Sequence, residues 1–342
     1  MIDFRYHLVS IVAVFLALAI GIVLGSTELQ GPVYSALDNT SARLKSDLET
    51  EGNQLNAANS LASADNSFIQ ANEAFLLSDK LAGQRIAIFT EPGASASVIN
   101  GITTAAKDAG ATVTVTVSLQ DKFFDSSNST LATLGTLNTG IARSASIQLA
   151  SGLASIQQGT AVVLGSQLLV KASASASSAS AATDAAWQSS AAQTALAAYQ
   201  QDGFLTVDNP PTQAATLAVI VTTNTIPSDG TADPLAQVLG PFASGLAQAT
   251  TTAVAGAAAT SGAGSPMAVL RQTGASNQVS SVDDADSVRG QIAVIQALYS
   301  QLNGGTPGSW GINSGDSYPT IAPSASPSPT PSGTPTKKKS GK

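Results

Sequence analysis

No cysteine occurs among the 342 residues, which excludes disulfides, thiolate nucleophiles and Cys-ligated metal sites. Histidine occurs once, at His7 beside an apolar run, and methionine only at Met1 and Met267. Imidazole catalysis, a His-rich metal site or a set of soft sulfur ligands therefore has almost nothing to draw on in the body of the chain. Charge is also scarce: Asp, Glu, Lys and Arg make up 11% of residues, against ~25% in ordinary soluble domains. Lys plus Arg is 15 and Asp plus Glu is 22, a formal charge of -7. That balance lacks the basic face needed to displace counterions from phosphate, so nucleic acid is excluded as a partner. Aromatic residues are 5%, and the core must be built largely from small aliphatic side chains.

One long apolar run is present. Leu8 to Leu24 carries no charge, and as a helix it spans roughly 26 Å, just under a ~30 Å hydrocarbon core. Residues 1–26 are expected to form a single transmembrane anchor, making the membrane a partner. The competing reading is a cleaved signal peptide with Val23-Leu24-Gly25 at the cleavage site. Signal cores run about 7–15 residues, however, and this one follows Asp3 and Arg5. Arg5 lies before the run and no Lys or Arg follows until Arg43, so the N-terminus is expected in the cytoplasm and the rest outside. Ala13, Ala17, Gly21 and Gly25 recur every four residues, a smooth stripe along which two helix backbones could approach. The alternative is that Gly and Ala are simply common in such helices.

Gly31-Pro32 is expected to break the chain after the span. Residues 33–82 then have helical apolar spacing. With Leu48 at heptad position a, Leu55, Ala62, Ile69 and Leu76 follow on that line, while Leu37, Leu44, Glu51, Ala58, Asp65 and Asn72 fall at d. The expected seam of a coiled-coil stalk is Leu37, Leu44, Leu48, Leu55, Ile69 and Leu76, giving a homo-oligomer through span and stalk. Because half of the d line is polar, a long helix packing its one good stripe on the following domain remains the alternative.

Residues 83–316 alternate short apolar runs with helical stretches. Arg85–Phe89, Thr112–Val117, Ala161–Leu164, Leu217–Val221, Thr251–Val254 and Gln278–Val282 are expected strands, and Val288 to Leu302 an amphipathic helix. The alternation predicts an α/β head: a three-layer, Rossmann-like domain with a mainly parallel sheet. Residues 171–182, almost wholly Ala and Ser, form a low-complexity insert. Residues 317–342 form a Pro/Ser/Thr-rich tail, expected to be disordered, with a Lys-rich end.

A search for chemistry finds little. Thr90-Glu91-Pro92-Gly93-Ala94 after the first strand lacks the glycine spacing that cradles a pyrophosphate. Ser265-Pro266 suits a helix start with Ser265 as N-cap. A serine nucleophile has no histidine in the head to activate it. Asp283, Asp284 and Asp286 form the densest acidic group, expected to satisfy N–H groups at a helix start; a hard-cation site is the alternative. No catalytic, cofactor-binding or metal residue is assigned, and no enzyme is expected.

The most specific signal lies at the N-terminus. Arg5-Tyr6-His7-Leu8-Val9-Ser10, continuing through Ala13 to Gly21 and Val23-Leu24-Gly25-Ser26, resembles the start of the mycobacterial copper transport protein B (MctB) family. Ser281 to Asp286 with Arg289, then Asn303-Gly304-Gly305 with Gly308 and Gly311, look like that family's closing segment. The resemblance covers about Met1 to Ser314. It implies an actinobacterial cell-envelope protein of copper homeostasis, acting in copper efflux as a channel or channel accessory. It also implies an outer-membrane location, beside the cell-membrane placement read from the residues, with copper moving through an assembly. Copper(I) prefers thiolate, thioether or imidazole, so the residues themselves read as a poor copper ligand.

Overall fold

The computed structural model describes residues 4–171, 189–223, 234–257, 264–312 and Tyr318; for Phe4, residues 26–34 and Ser189 it describes helical backbone only. Most of the low-complexity insert and all of the tail beyond Tyr318 lie outside the described residues. The chain forms two units, Met1–Ser67 and Phe68–Lys342.

The first unit is carried by helix α1 (Phe4–Leu77). Its residues 5–25 are all exposed, and Arg5–Gly25 has a mean hydropathy of 2.9. The helix runs through Gly31-Pro32, where the sequence predicts a break. Proline removes one i→i−4 bond and crowds one carbonyl, a local cost that a long helix with intact turns on both sides can absorb. Farther along, Thr40, Thr50 and Ser60 each donate to the carbonyl four residues back at 2.8 Å. These exposed hydroxyls are satisfied by sharing carbonyls of the helix itself, and the helix continues through them.

In the second unit the closing turns of α1 lie against the head. Leu77 is fully buried, Ile69 packs on the same apolar cluster, and Glu73 is buried between them in sequence. Ile69, which the heptad reading assigns to the stalk seam, is thus taken by the head, and Leu76 keeps 40% of its surface exposed. Burial, and secondarily the charge on Asp108, raises the Glu73 carboxyl above its ordinary 4.5. The native state therefore holds this proton more tightly than the unfolded chain. The penalty is absent below pH 4.5 and grows as pH rises toward the raised native value. Glu73→Gln is expected to raise the melting temperature at pH 7 and to leave it unchanged near pH 4, read from thermal melts across that range.

After turns at Asp79 and Gly83, both with positive φ, the head alternates strand and helix. Its elements are β1 (Arg85–Thr90), α2 (Ala96–Asp108), β2 (Thr112–Leu119), α3 (Asp121–Phe124), α4 (Asn128–Ser144), α5 (Ile156–Leu168) and α6 (Ser189–Gln201). There follow β3 (Leu205–Val207), β4 (Leu217–Val221), α7 (Pro234–Ala247), β5 (Thr252–Ala255), α8 (Pro266–Gln272), β6 (Ser280–Val282), α9 (Val288–Leu302) and β7 (Ser309–Trp310). One seven-stranded sheet runs β3-β2-β1-β4-β5-β6-β7. Every pairing is parallel except β2 with β3.

Both faces of the sheet are covered, which is why β1 and β4 are buried at every residue. Ala87, Phe89, Ala218 and Ile220 point into a cluster built with α3 to α8. Ile86, Ile88, Leu217 and Val219 point into the other, with α2, α9 and Leu77 of α1. Phe242 of α7 anchors the first, its ring edge-on to Phe89 at 5.8 Å and to Phe123 at 5.5 Å. The expected strand at Ala161–Leu164 is instead the middle of α5. This helix is buried on nearly every side, so its apolar run has no helical period by which to tell it from an interior strand.

Candidate functional site

In an open parallel sheet, ligands gather outside the carboxyl ends of the strands where the order reverses, here between β1 and β4. Glu91 follows β1 there and is buried. Its Oε2 accepts from Thr222 Oγ1 at 2.5 Å and from the Thr223 amide at 3.1 Å, both at the end of β4. Gly93 turns the chain with φ +77, and a Cβ there would come within 3.2 Å of Thr223 Oγ1. Among the described residues the Glu91 hydrogen bonds tie the ends of β1 and β4 together, and no glycine-rich cradle follows β1.

The acidic group lies further along the same edge, after β6. Its roles differ from those expected. The N-cap of α9 is Ser287, whose hydroxyl accepts from the Gly290 amide at 3.0 Å. Asp283 instead takes Arg271 Nη1 of α8 at 2.7 Å. That guanidinium also donates through Nε to Ser281 Oγ and through Nη2 to the Trp310 carbonyl, each at 3.0 Å. Arg271 thereby ties α8, β6 and β7 together. Asp284 is fully buried and accepts from Arg289 Nε at 3.0 Å and from the Tyr318 hydroxyl at 2.5 Å. Burial first, then the bond to Asp284, pushes the Tyr318 phenol well above its ordinary value. Gly311, at φ +126, lies so close to Asp283 that any side chain would collide with the carboxylate, and a Cβ on Gly290 would strike the Asp284 carbonyl. The closing motif of the sequence is thus a clasp: two buried carboxylates hold two arginines and the start of the tail.

Among the described residues no group of three or more His, Cys, Asp or Glu is placed to hold a metal ion. Met267 is on α8, 1% exposed and part of the core. His7 lies in the apolar stretch of α1. Ser265 caps α8 as its sequence suggests, accepting from the Ala268 amide at 3.2 Å. Ala13, Ala17, Gly21 and Gly25 are exposed on α1, as are Leu37, Leu44, Leu48 and Leu55. The pairing of Arg271 and the burial of Glu73 escape a reading of the sequence, since the first depends on where α8 meets β6 and the second on how the end of α1 packs on the head; the Arg289 pair is local, five residues from Asp284.

Fold and site define a class: an α/β domain following a long helix that begins with a stretch apolar enough to cross a membrane. The chain belongs to the MctB family, whose model, described as a copper transport outer membrane protein, matches residues 1–321. It is 32% identical over 330 residues to the copper transporter MctB of Mycobacterium tuberculosis, covering 94% of this chain and 100% of that one. The Mycobacterium leprae protein of the same name is 30% identical over 333 residues, covering 94% of this chain and 99% of its own. It is a copper transport family, not a family of enzymes.

Proposed function

We propose that this chain is a membrane-anchored envelope protein of copper homeostasis, serving as a channel or channel-accessory component and not as a copper ligand itself. The N-terminus lies in the cytoplasm, α1 crosses the membrane once, and the head stands outside. The observation that carries this reading is Arg5–Gly25, an apolar helical stretch with none of its surface covered by the protein. Gly21 and Gly25 have nothing within 4 Å of an added Cβ, so the small-residue stripe is open to a second helix, and copper moves through the resulting assembly. The strand order, reversing at β1, supports a Rossmann-like head. That head carries no imidazole or thiol, which supports a non-catalytic role.

The test is complementation of a deletion strain. The full chain is expected to restore copper tolerance, while a version with residues 4–25 replaced by a cleaved export signal fails. Equal rescue by both would remove the anchor from the account. Met267→Leu, a near volume-conserving change costing less than about 1.5 kcal/mol, is expected to rescue fully. Loss of tolerance with normal protein levels would instead assign copper to that sulfur.

A second reading, an exported binding module for a small envelope ligand or glycan, is favoured by one cavity. About 380 Å³ in volume, it is lined by Lys171, Gln248, Thr250, Thr251, Gln278 and Gln301 at the amino ends of β5 and β6. Amides and hydroxyls of this kind suit a polyhydroxylated ligand. A rise in melting temperature with envelope monosaccharides supports this reading, and a flat response removes it.

A further inference from the structure

Where α1 ends, its face toward the head carries one charged side chain. Ile69, Glu73 and Leu77 recur every four residues, and Ile69 and Leu77 pack on the apolar cluster of the second sheet face. Glu73 between them is only 8% exposed, and among the described residues its Oε1 has no hydrogen-bond partner. The elements that meet there bring little to answer a charge. From α2 comes Asp108, a second acid whose charge bears on Glu73, and Lys107, which is exposed. From α9 comes Tyr299, packed on the same cluster. The turn after α1 brings Lys80, whose Nζ lies over the Tyr299 ring at 5.2 Å, and exposed Asp79, which accepts from Ser78 at 3.3 Å. Among the described residues neither Glu73 nor Asp108 is in an ion pair.

The chain on the two sides of Asp79 is held differently. Asp79 has a positive φ, and beyond it Leu81 is fully buried with its amide on the Ala109 carbonyl at 2.8 Å. The Gly83 amide donates to the Gly110 carbonyl at 3.1 Å. From Leu81 onward the chain is therefore fixed to the turn between α2 and β2. The turns before Asp79 rest on the head through Ile69 and Leu77, with an unsatisfied carboxyl between them. We propose that Glu73 is a proton-operated latch: with its carboxyl protonated, residues 68–77 stay on the head, and with it ionised they release about the turn at Asp79 while the sheet stays folded. A neutral carboxyl loses little on leaving water, whereas a carboxylate loses its hydration and also faces Asp108. The raised proton affinity of Glu73 is the same preference seen from the proton's side. Release is rarest below pH 4.5, grows as pH rises toward the native value and levels off above it. Because the opening is confined to one short segment, it recurs many times for each unfolding of the head.

A chain without cysteine lets a single thiol report the opening. Leu77→Cys and, as a second reporter, Ile69→Cys are placed in the full chain in detergent, each with Glu73 intact and with Glu73→Gln. Val219→Cys on β4, fully buried, is the reference for the folded sheet. Labelling by a pyridyl disulfide is followed between pH 4 and pH 7. Dividing the rate with Glu73 by the rate with Glu73→Gln removes the pH dependence of the thiol itself. That ratio is expected to be near one at pH 4 and to rise by about tenfold for each unit that the native carboxyl lies above its ordinary value. At pH 7 position 77 is expected to label well ahead of position 219. Asp108→Asn is expected to lower the ratio without abolishing it, since burial is the larger cause. A ratio near one at both reporters across the whole range overturns the latch. Labelling of position 77 no faster than of position 219 overturns it too, because the turns then open only with the entire head.

Discussion

Replacing Arg271 by Met is expected to destabilise the head by about 3–5 kcal/mol, the range for removing one partner of a buried ion pair. Asp283, with 2% of its side chain exposed, would lose its cationic partner in a place that water barely reaches. The same change strips a donor from Ser281 and from the Trp310 carbonyl, loosening β7 from β6. Urea denaturation followed by tryptophan fluorescence measures the loss. Combining Arg271→Met with Asp283→Asn removes the stranded charge and is expected to recover a substantial part of the stability. If the double variant is no better than the single one, the guanidinium acts through packing and not through its charge. Arg271 and Asp283 are only twelve residues apart, but nothing in the local sequence pairs them; the chain between them must first fold so that α8 lies beside the end of β6.

The second large effect is expected at Asn138. This buried amide accepts from Tyr199 at 2.7 Å and from Thr160 at 3.0 Å, and donates to the Ile156 carbonyl at 3.0 Å. It joins α4, α5 and α6 at one point. Asn138→Leu leaves the Tyr199 hydroxyl without an acceptor at a fully buried position. Thr160 retains the Ile156 carbonyl as an alternative at 3.3 Å. With about 1–3 kcal/mol for each stranded polar group and the lost Ile156 bond added, the expected cost is roughly 2–4 kcal/mol. Tyr199→Phe removes donor and demand together and is expected to cost only ~1 kcal/mol. Equal losses in the two variants, by the same urea titration, would contradict this division.

Much of the head was legible because its strands announce themselves locally. β1, β2 and β4 follow from β-branched runs bounded by turns, and Val115, Val117 and Leu119 are buried as alternation requires. The Ser265 cap and α9 were equally plain. Ala161–Leu164 misled because burial on all sides erases periodicity. Gly31-Pro32 misled because local breaking strength says nothing of the turns that hold a helix on either side. The acidic cluster was visible and its role was not: Ser287 holds the cap position, leaving Asp284 for Arg289 five residues on and Asp283 for Arg271 of the preceding helix.

A membrane-anchored head requires that the apolar start of α1 remain attached to the mature protein. Fractionation of native envelopes with intact-mass analysis of the recovered protein tests this directly. The expected result is a single species that retains residues 4–25 and leaves the membrane fraction only with detergent. A freely soluble species beginning near Ser26 would contradict it.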